Sequence, residues 1–356
     1  MNNKTLIILT PGFAKDEQDT ACLPFLQNIV RELNEQFPSL KVSVLAFDYP
    51  FNKGVYRWNG NEVFSFKGWR KRNFKKLIKW LLIYIRMKRI KRNNHVIGLL
   101  SLWCNECAFL GSRFAKRNTV PHFCWIVGQD AKMGKNYVFR IKPSSTDLIA
   151  ISDFIRDEFE RNYEIRPAHT IPVGIRIAEF PEWSVERDID VLGAGSLIPL
   201  KQYDLFINII CEVTKHFPAI KVLLCGKGVE ADKLKKLVAE FGLQRNITFT
   251  GELPHLEILH LMSRSKVFLH TSNFEGMPAV CLEALYAGCH VISCLQLLHY
   301  KIENWHIANT KEEMVRNVLA VLNDRGAVYK PVLAFSIKKT VQNIMRLYNY
   351  NESRIC

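Results

Sequence analysis

Glu275 and Glu283 stand eight residues apart around the corner Gly276-Met277-Pro278. The apolar run 267–270 before them predicts a strand, and the stretch from Pro278 to Gly288 predicts a helix. Pro278 sits where that helix begins, a position that tolerates a missing N–H. Glu275 then lies in the loop at the helix mouth, and Glu283 about one and a half turns inside. A helix N-terminus offers free N–H groups and the positive end of a dipole, which suits a phosphate. Carboxylates beside it can grip hydroxyls. Together these parts suit a phosphorylated sugar or a nucleotide. The alternative is a loop glutamate and a helix glutamate with no shared task.

The elements that must position this pair alternate along the chain. Strand-like runs fall at 5–9, 41–46, 96–100, 123–127 and 148–151, then at 189–192, 219–225, 247–250, 267–270 and 290–293. Helical patterns lie between most of them, at 23–37, 202–217, 231–241, 254–263 and 278–287, with a last one at 336–350. Ser152 before Asp153 reads as a helix cap. This alternation predicts an α/β fold of doubly wound parallel sheets. The segment 172–187, with Pro172, Gly174 and Pro181, breaks the pattern and reads as the linker between two such domains. The length of 356 residues suits two domains, and 48% hydrophobic residues suffice for both cores.

In open α/β sheets ligands bind beyond the carboxyl ends of the strands. Four successive strands of the second half end in glycine or carboxylate loops. They are Gly193-Ala194-Gly195-Ser196 leading to Lys201, then Gly226-Lys227-Gly228, Gly251-Glu252-Leu253, and the Glu275 loop. Glycine lets backbone approach a ligand closely, and Lys201 is a mobile cation suited to a diphosphate. Gly193-x-Gly195 lacks the third glycine of a dinucleotide fingerprint. Each loop alone is also what an ordinary turn looks like; their concurrence points to one ligand site.

This series, in this order, resembles the retaining glycosyltransferases of family 4, which have the GT-B fold. The resemblance is strongest over residues 189–323. It rests on Gly195-Ser196-Leu197-Ile198-Pro199-Leu200-Lys201, Leu224-Cys225-Gly226-Lys227-Gly228, Ile247-Thr248-Phe249-Thr250-Gly251 and the Glu-x7-Glu spacing of Glu275 and Glu283. In the N-terminal half it is looser: Pro11-Gly12-Phe13 is similar to the family's glycine loop near the donor phosphate. The resemblance implies two Rossmann-like domains facing a cleft. Residues 1–173 would bind the acceptor, completed by a C-terminal helix (336–356) that crosses back, and residues 174–335 would bind the nucleotide sugar. It implies that Glu275 faces the donor sugar hydroxyls, with Gly276, Met277 and Pro278 holding the sugar by backbone. Glu283 would accept the ribose hydroxyls. Lys201 would neutralise the departing diphosphate. Gly12, Ser196, Gly226, Gly228 and Leu253 would complete the donor site. No metal or other cofactor is implied, and the donor is UDP- or GDP-linked.

Two positions depart from the family pattern. Ser196 stands where an arginine is common, and Val127 stands where many members carry a histidine. Asp130, just after, would orient the acceptor; its alternative is a loop-capping aspartate. These departures touch acceptor chemistry more than donor binding.

The net charge of +15 is concentrated: residues 67–92 hold twelve Lys or Arg and no acid. Such charge points to a polyanionic surface, anionic lipid or nucleic acid. On a helical wheel Phe74, Leu77, Ile78, Leu81, Leu82 and Ile85 share one face, and Arg72, Lys75, Lys76, Lys79 and Arg86 the other, flanked by Trp69 and Trp80. The reading is an apolar face packed on the sheet and a basic face, Arg70 to Arg92, on an anionic membrane; the alternative is a solvated basic face. No helix-turn-helix, zinc finger or RNA-binding strand accompanies the charge, so nucleic acid is not expected. The ten cysteines are scattered, which suits a reducing cytosol, and Cys104-Asn105-Glu106-Cys107 is a lone CxxC. No run of about 20 apolar residues reads as a membrane span, and the N-terminus is too short for a signal peptide and resembles a first strand.

The chain is therefore expected to be a cytoplasmic retaining glycosyltransferase, peripheral on the inner face of the membrane. It would move a sugar from a nucleotide donor to a glycan or lipid-linked acceptor. The alternatives are a nucleotide-sugar epimerase of similar fold and a non-catalytic sugar-binding or assembly subunit, the latter because of Ser196 and Val127.

Overall fold

The structure is a computed structural model that describes residues 4–20, 22–51, 54–66, 73–134, 136–181 and 186–351, with backbone alone at 73–75 and 136. It divides into two compact units, Met1–Val173 with Ile337–Cys356, and Gly174–Ser336. In the first, the chain runs through β1 (Lys4–Gly12), α1 (Pro24–Gln36), β2 (Lys41–Tyr49), β3 (Val55–Trp58), β4 (Asn61–Ser65), α2 (Asn73–Asn93), β5 (His95–Leu102), α3 (Glu106–Asn118), β6 (His122–Ile126), α4 (Asn136–Ile141), β7 (Leu148–Ala150), α5 (Asp153–Tyr163) and β8 (His169–Thr170). The sheet order is β3-β4-β2-β1-β5-β6-β7-β8. It is parallel except for the β3–β4 hairpin. Leu6, Ile7, Ile8 and Leu9 are all buried, as a parallel strand covered on both faces requires. The hairpin turns at Asn59 and Gly60, whose φ of 42° and 78° are those of a type I′ turn.

The second unit contains β9 (Ile189–Ala194), α6 (Tyr203–Thr214), β10 (Val222–Cys225), α7 (Ala231–Glu240), β11 (Ile247–Gly251), α8 (His255–Ser263), β12 (Ser265–His270), α9 (Ala279–Tyr286), β13 (His290–Ser293), β14 (Trp305–Ile307) and α10 (Lys311–Asn323). Its sheet is parallel, in the order β11-β10-β9-β12-β13-β14. Successive residues of a strand serve opposite faces. Val191, Val267 and Leu269 join the core with α6 and α10, while Leu192 and Phe268 join the core with α8 and α9. The sheet grows from β9 toward β10 and β11, then restarts at β12 on the other side of β9. The loops after β9 and β12 therefore diverge, the switch point where α/β sheets take ligands.

The chain returns to the first unit as α11 (Ile337–Leu347), which buries Ile337, Val341, Ile344 and Met345. Beyond it the Tyr348 hydroxyl donates to the Leu99 carbonyl at 2.7 Å. The ring lies so close over β5 that a Cβ at Gly98 would sit 2.1 Å from Tyr348 Cε1.

α2 corrects the expected orientation. Leu77, Leu81, Leu82 and Ile85 are exposed, whereas Ile83, Met87 and Ile90 are buried. Lys79, expected on the outer basic face, is only 6% exposed and pairs with Asp48 at 3.0 Å and Glu106 at 3.1 Å. Burial disfavours its charge, but Glu106 and Asp48 outweigh that and hold its pKa above the usual lysine value. Lys76 donates to the Tyr137 hydroxyl at 2.8 Å, and the Arg86 guanidinium lies over the Phe64 ring. Trp69, Arg70 and Arg72, and the side chains of Phe74 and Lys75, lie outside the described residues.

Candidate functional site

Lys201 closes a short 3-10 turn after β9 (Pro199–Lys201), and Glu275 lies in the loop between β12 and α9. The switch point brings the two together as an ion pair between Lys201 Nζ and Glu275 Oε1. The loops are also joined by backbone: Thr271 Oγ1 donates to the Lys201 carbonyl at 2.8 Å and Asn273 N–H to the Leu200 carbonyl at 3.2 Å. Each loop thus fixes the other, and the pair is held by elements 74 residues apart in sequence.

Glu275 is mostly buried. Burial alone would raise its pKa, but the His270 ring and the Lys201 ammonium prevail and hold it at about 2. His270, the last residue of β12, lies with Nε2 3.7 Å from Glu275 Oε1, a polar contact beyond hydrogen-bond length. Both its ring nitrogens are buried without a hydrogen-bond partner, and burial lowers its pKa. At neutral pH the site is therefore a carboxylate beside a neutral imidazole.

Gly276, Met277 and Pro278 are buried and lead into α9. Pro278 is the N-cap, in extended backbone, rather than the first helical residue. Glu283 lies on α9 and meets His255 Nε2 at 2.9 Å, while Glu179 stands 3.8 Å from His255 Nδ1. The hydrogen bond to Glu283 is the main cause that raises the His255 pKa; burial opposes it. A raised folded pKa contributes stability below the unfolded value, near 6.5, and that contribution is lost as pH rises through the folded value. His255→Ala is therefore expected to lower the melting temperature more at about pH 6 than at about pH 9. Equal losses at both would remove the charged pair from the account.

The glycine loops are packed backbone to backbone. A Cβ on Gly226 would sit 1.9 Å from the Gly195 carbonyl oxygen, and one on Gly228 would sit 2.2 Å from that of Leu197. Gly195 N–H donates to Cys225 O at 2.9 Å, Leu197 N–H to Lys227 O at 2.9 Å, and Gly226 N–H to Gly251 O at 2.8 Å. Gly226 and Gly228 thus hold the loop that carries Ser196 and Lys201. Ser196 is exposed, and Leu253 packs half-buried on the α8–α9 core. Lys227 forms an exposed ion pair with Glu252 on the neighbouring loop.

Gly12 and Asp130, named with this site from the sequence, belong to the first unit. Gly12 ends β1, its carbonyl accepting from Thr10 Oγ1 at 2.8 Å. Asp130 is buried in a turn after β6 and accepts from the backbone N–H groups of Cys104 at 2.7 Å, Gly128 at 2.9 Å and Val127 at 3.2 Å. That is the loop-capping arrangement. The nearby CxxC is a helix start: Asn105 caps α3 by accepting from Cys107 N–H at 2.8 Å, and both thiols are buried.

His255 and His270 were not singled out by the sequence reading. The signals are their places, His255 two residues beyond Leu253 and His270 at the end of the strand before Glu275.

Residues 176–295 match the model of the family described as glycosyl transferases group 1. The UDP-N-acetylglucosamine–peptide N-acetylglucosaminyltransferase GtfA subunit of Streptococcus agalactiae is 28% identical over 138 residues, 38% of this chain and 27% of that protein. The phosphatidylinositol N-acetylglucosaminyltransferase gpi3 subunit of Schizosaccharomyces pombe is 23% identical over 268 residues, 71% of this chain and 58% of that protein. The chain thus spans between about a quarter and three fifths of these relatives. A glycosyltransferase from Rickettsia africae ESF-5 superposes with a TM-score of 0.75 over 98% of both chains at 13% identity. The fold is GT-B, two Rossmann-like units with largely parallel sheets and, among the described residues, no closed barrel.

Proposed function

We propose that the chain is a retaining, family 4 glycosyltransferase that moves a sugar from a nucleotide donor to a hydroxyl of a surface glycan carried on lipid. The observation that carries this reading is the Lys201–Glu275 pair at the switch point of the second sheet. In the reaction the bond from the anomeric carbon to the donor phosphate breaks and a bond to the acceptor oxygen forms. The acceptor proton passes to the departing phosphate on the same face, so configuration is kept and no protein nucleophile is needed. Lys201 turns from Glu275 toward the diphosphate and stabilises the charge that develops there. The freed Glu275 accepts from the sugar hydroxyls. Free N–H groups at the start of α9 face the phosphates, and Glu283, released from His255, accepts from the ribose. Lys227 supplies the second cation at the loop pair where Ser196 offers none. The reading calls for no metal. The enzyme would work on the cytoplasmic face of a membrane, with the acceptor bound by the first unit.

Two of the relatives are named for N-acetylglucosamine transfer, one of them from UDP. UDP and UDP-N-acetylglucosamine are therefore the first ligands to test, with GDP beside them. A ligand at one hundred times its Kd stabilises the folded state by about 2.7 kcal/mol, readable as a melting shift of several degrees. Such a shift is expected for one nucleotide with the wild type and not with Glu283→Ala. If neither UDP nor GDP shifts the wild type, the donor site is not where we place it.

A further inference from the structure

α2 turns its bulky aliphatic residues away from the protein. Leu77, Leu81, Leu82 and Ile85 are 60%, 59%, 52% and 52% exposed. At about 100° per residue they share one face. The opposite face is the one that packs, with Ile83, Met87 and Ile90 buried and Lys79 neutralised by Asp48 and Glu106. Toward the C-terminal end the outward face changes character: Lys88, Arg89 and Arg92 follow the aliphatic residues on it and are exposed. The outer face is thus apolar over its first turns and cationic over its last, with no acid anywhere on the helix. A helix packed on a water-soluble domain ordinarily has its apolar stripe inward.

We propose that this face is a docking surface for an anionic lipid bilayer. The aliphatic stripe enters the boundary between headgroups and acyl chains, and Lys88, Arg89 and Arg92 meet the headgroup phosphates. Charge selects this occupant. A second copy of the same face supplies no acid to pair with the three cations, and a nucleic acid offers nothing to four aliphatic side chains. The helix lies on the membrane rather than crossing it. Among the described residues no helix is long and apolar enough to span, and a span would carry the paired Lys79 into the bilayer. The inference does not rest on glycosyl transfer, since docking needs no donor. It differs from the sequence-based expectation in which face touches lipid.

The test is co-sedimentation of the full chain with vesicles of phosphatidylcholine alone and of phosphatidylcholine mixed with phosphatidylglycerol. The wild type is expected to bind the mixed vesicles and to weaken as salt rises. Leu81→Ser with Ile85→Ser is expected to weaken binding at least about tenfold, or ~1.4 kcal/mol. Lys88→Gln with Arg89→Gln and Arg92→Gln is expected to do the same and to flatten the salt dependence. All five positions are exposed, so melting temperatures and nucleotide-induced shifts should match the wild type, which separates this test from that of the donor site. Absence of wild-type binding to mixed vesicles would overturn the proposal, as would serine variants that bind equally well. A wild-type dimer that the serine variant dissolves, seen by light scattering, would assign the face to a second copy instead.

Discussion

Lys201→Ala is expected to lower kcat about a hundredfold or more, with far less change in the donor KM. Cleavage of the sugar–phosphate bond leaves new negative charge on the diphosphate. A cation that meets such charge in a water-poor site lowers the barrier by roughly 3–4 kcal/mol, or 10²–10³ in rate. Lys201 is held for that task by the Thr271 hydroxyl on its carbonyl and by the Leu200–Asn273 hydrogen bond. Its loss also removes an attraction that keeps Glu275 ionised, so the Glu275 pKa should rise from about 2. Lys201→Arg keeps the charge but replaces a compact ammonium with a planar fork, and should recover only part of the rate. Steady-state kinetics on the purified chain decide this. A kcat within threefold (about 0.65 kcal/mol) of the wild type for Lys201→Ala would remove the residue from the mechanism.

The second large effect is expected from one added methyl group. Gly226→Ala puts a Cβ 1.9 Å from the Gly195 oxygen at a φ of 144°, a backbone region that alanine rarely adopts. Gly195 cannot simply retreat, because its N–H is tied to Cys225. We expect a loss of roughly 3 kcal/mol or more, a fall of about 6–12 °C in the melting of the second unit, and loss of the nucleotide shift. Two controls separate the causes. Gly228→Ala meets the Leu197 oxygen at 2.2 Å without a positive φ and tests the clash. Gly242→Ala has a φ of 68° with open space around it and tests strain alone, at about 1 kcal/mol. A Gly226→Ala protein that melts like the Gly242→Ala protein would show that the loops yield.

The parallel sheets and the meeting of Lys201 with Glu275 follow from patterns visible in the chain. Runs such as Val267–His270 are apolar because both sheet faces are covered, and the order of the strand-end loops fixes which of them become neighbours. The β3–β4 hairpin is also written there, in Asn59-Gly60, although the strand-like runs expected in the first half do not include its strands. α2 shows why other features were hidden. Its wheel has two plausible faces, and the buried one is selected by Asp48 on β2 and Glu106 on α3, residues 31 and 27 positions from Lys79. A helical pattern records which residues share a side, not which partners await them. The same holds for Asp130, whose three backbone donors come from two separate loops, and for His255, defined by Glu283 on another helix.

The Tyr348 ring over Gly98 has a consequence for biosynthesis. The first sheet is translated before the second unit, yet β5 is shaped to receive a side chain that is made after that unit. The intervening unit, Gly174–Ser336, is contiguous in sequence and can close as soon as it is translated. The domain synthesised first is thus completed last, and until α11 docks the emerging N-terminal half presents nascent-chain chaperones with an open groove along β5.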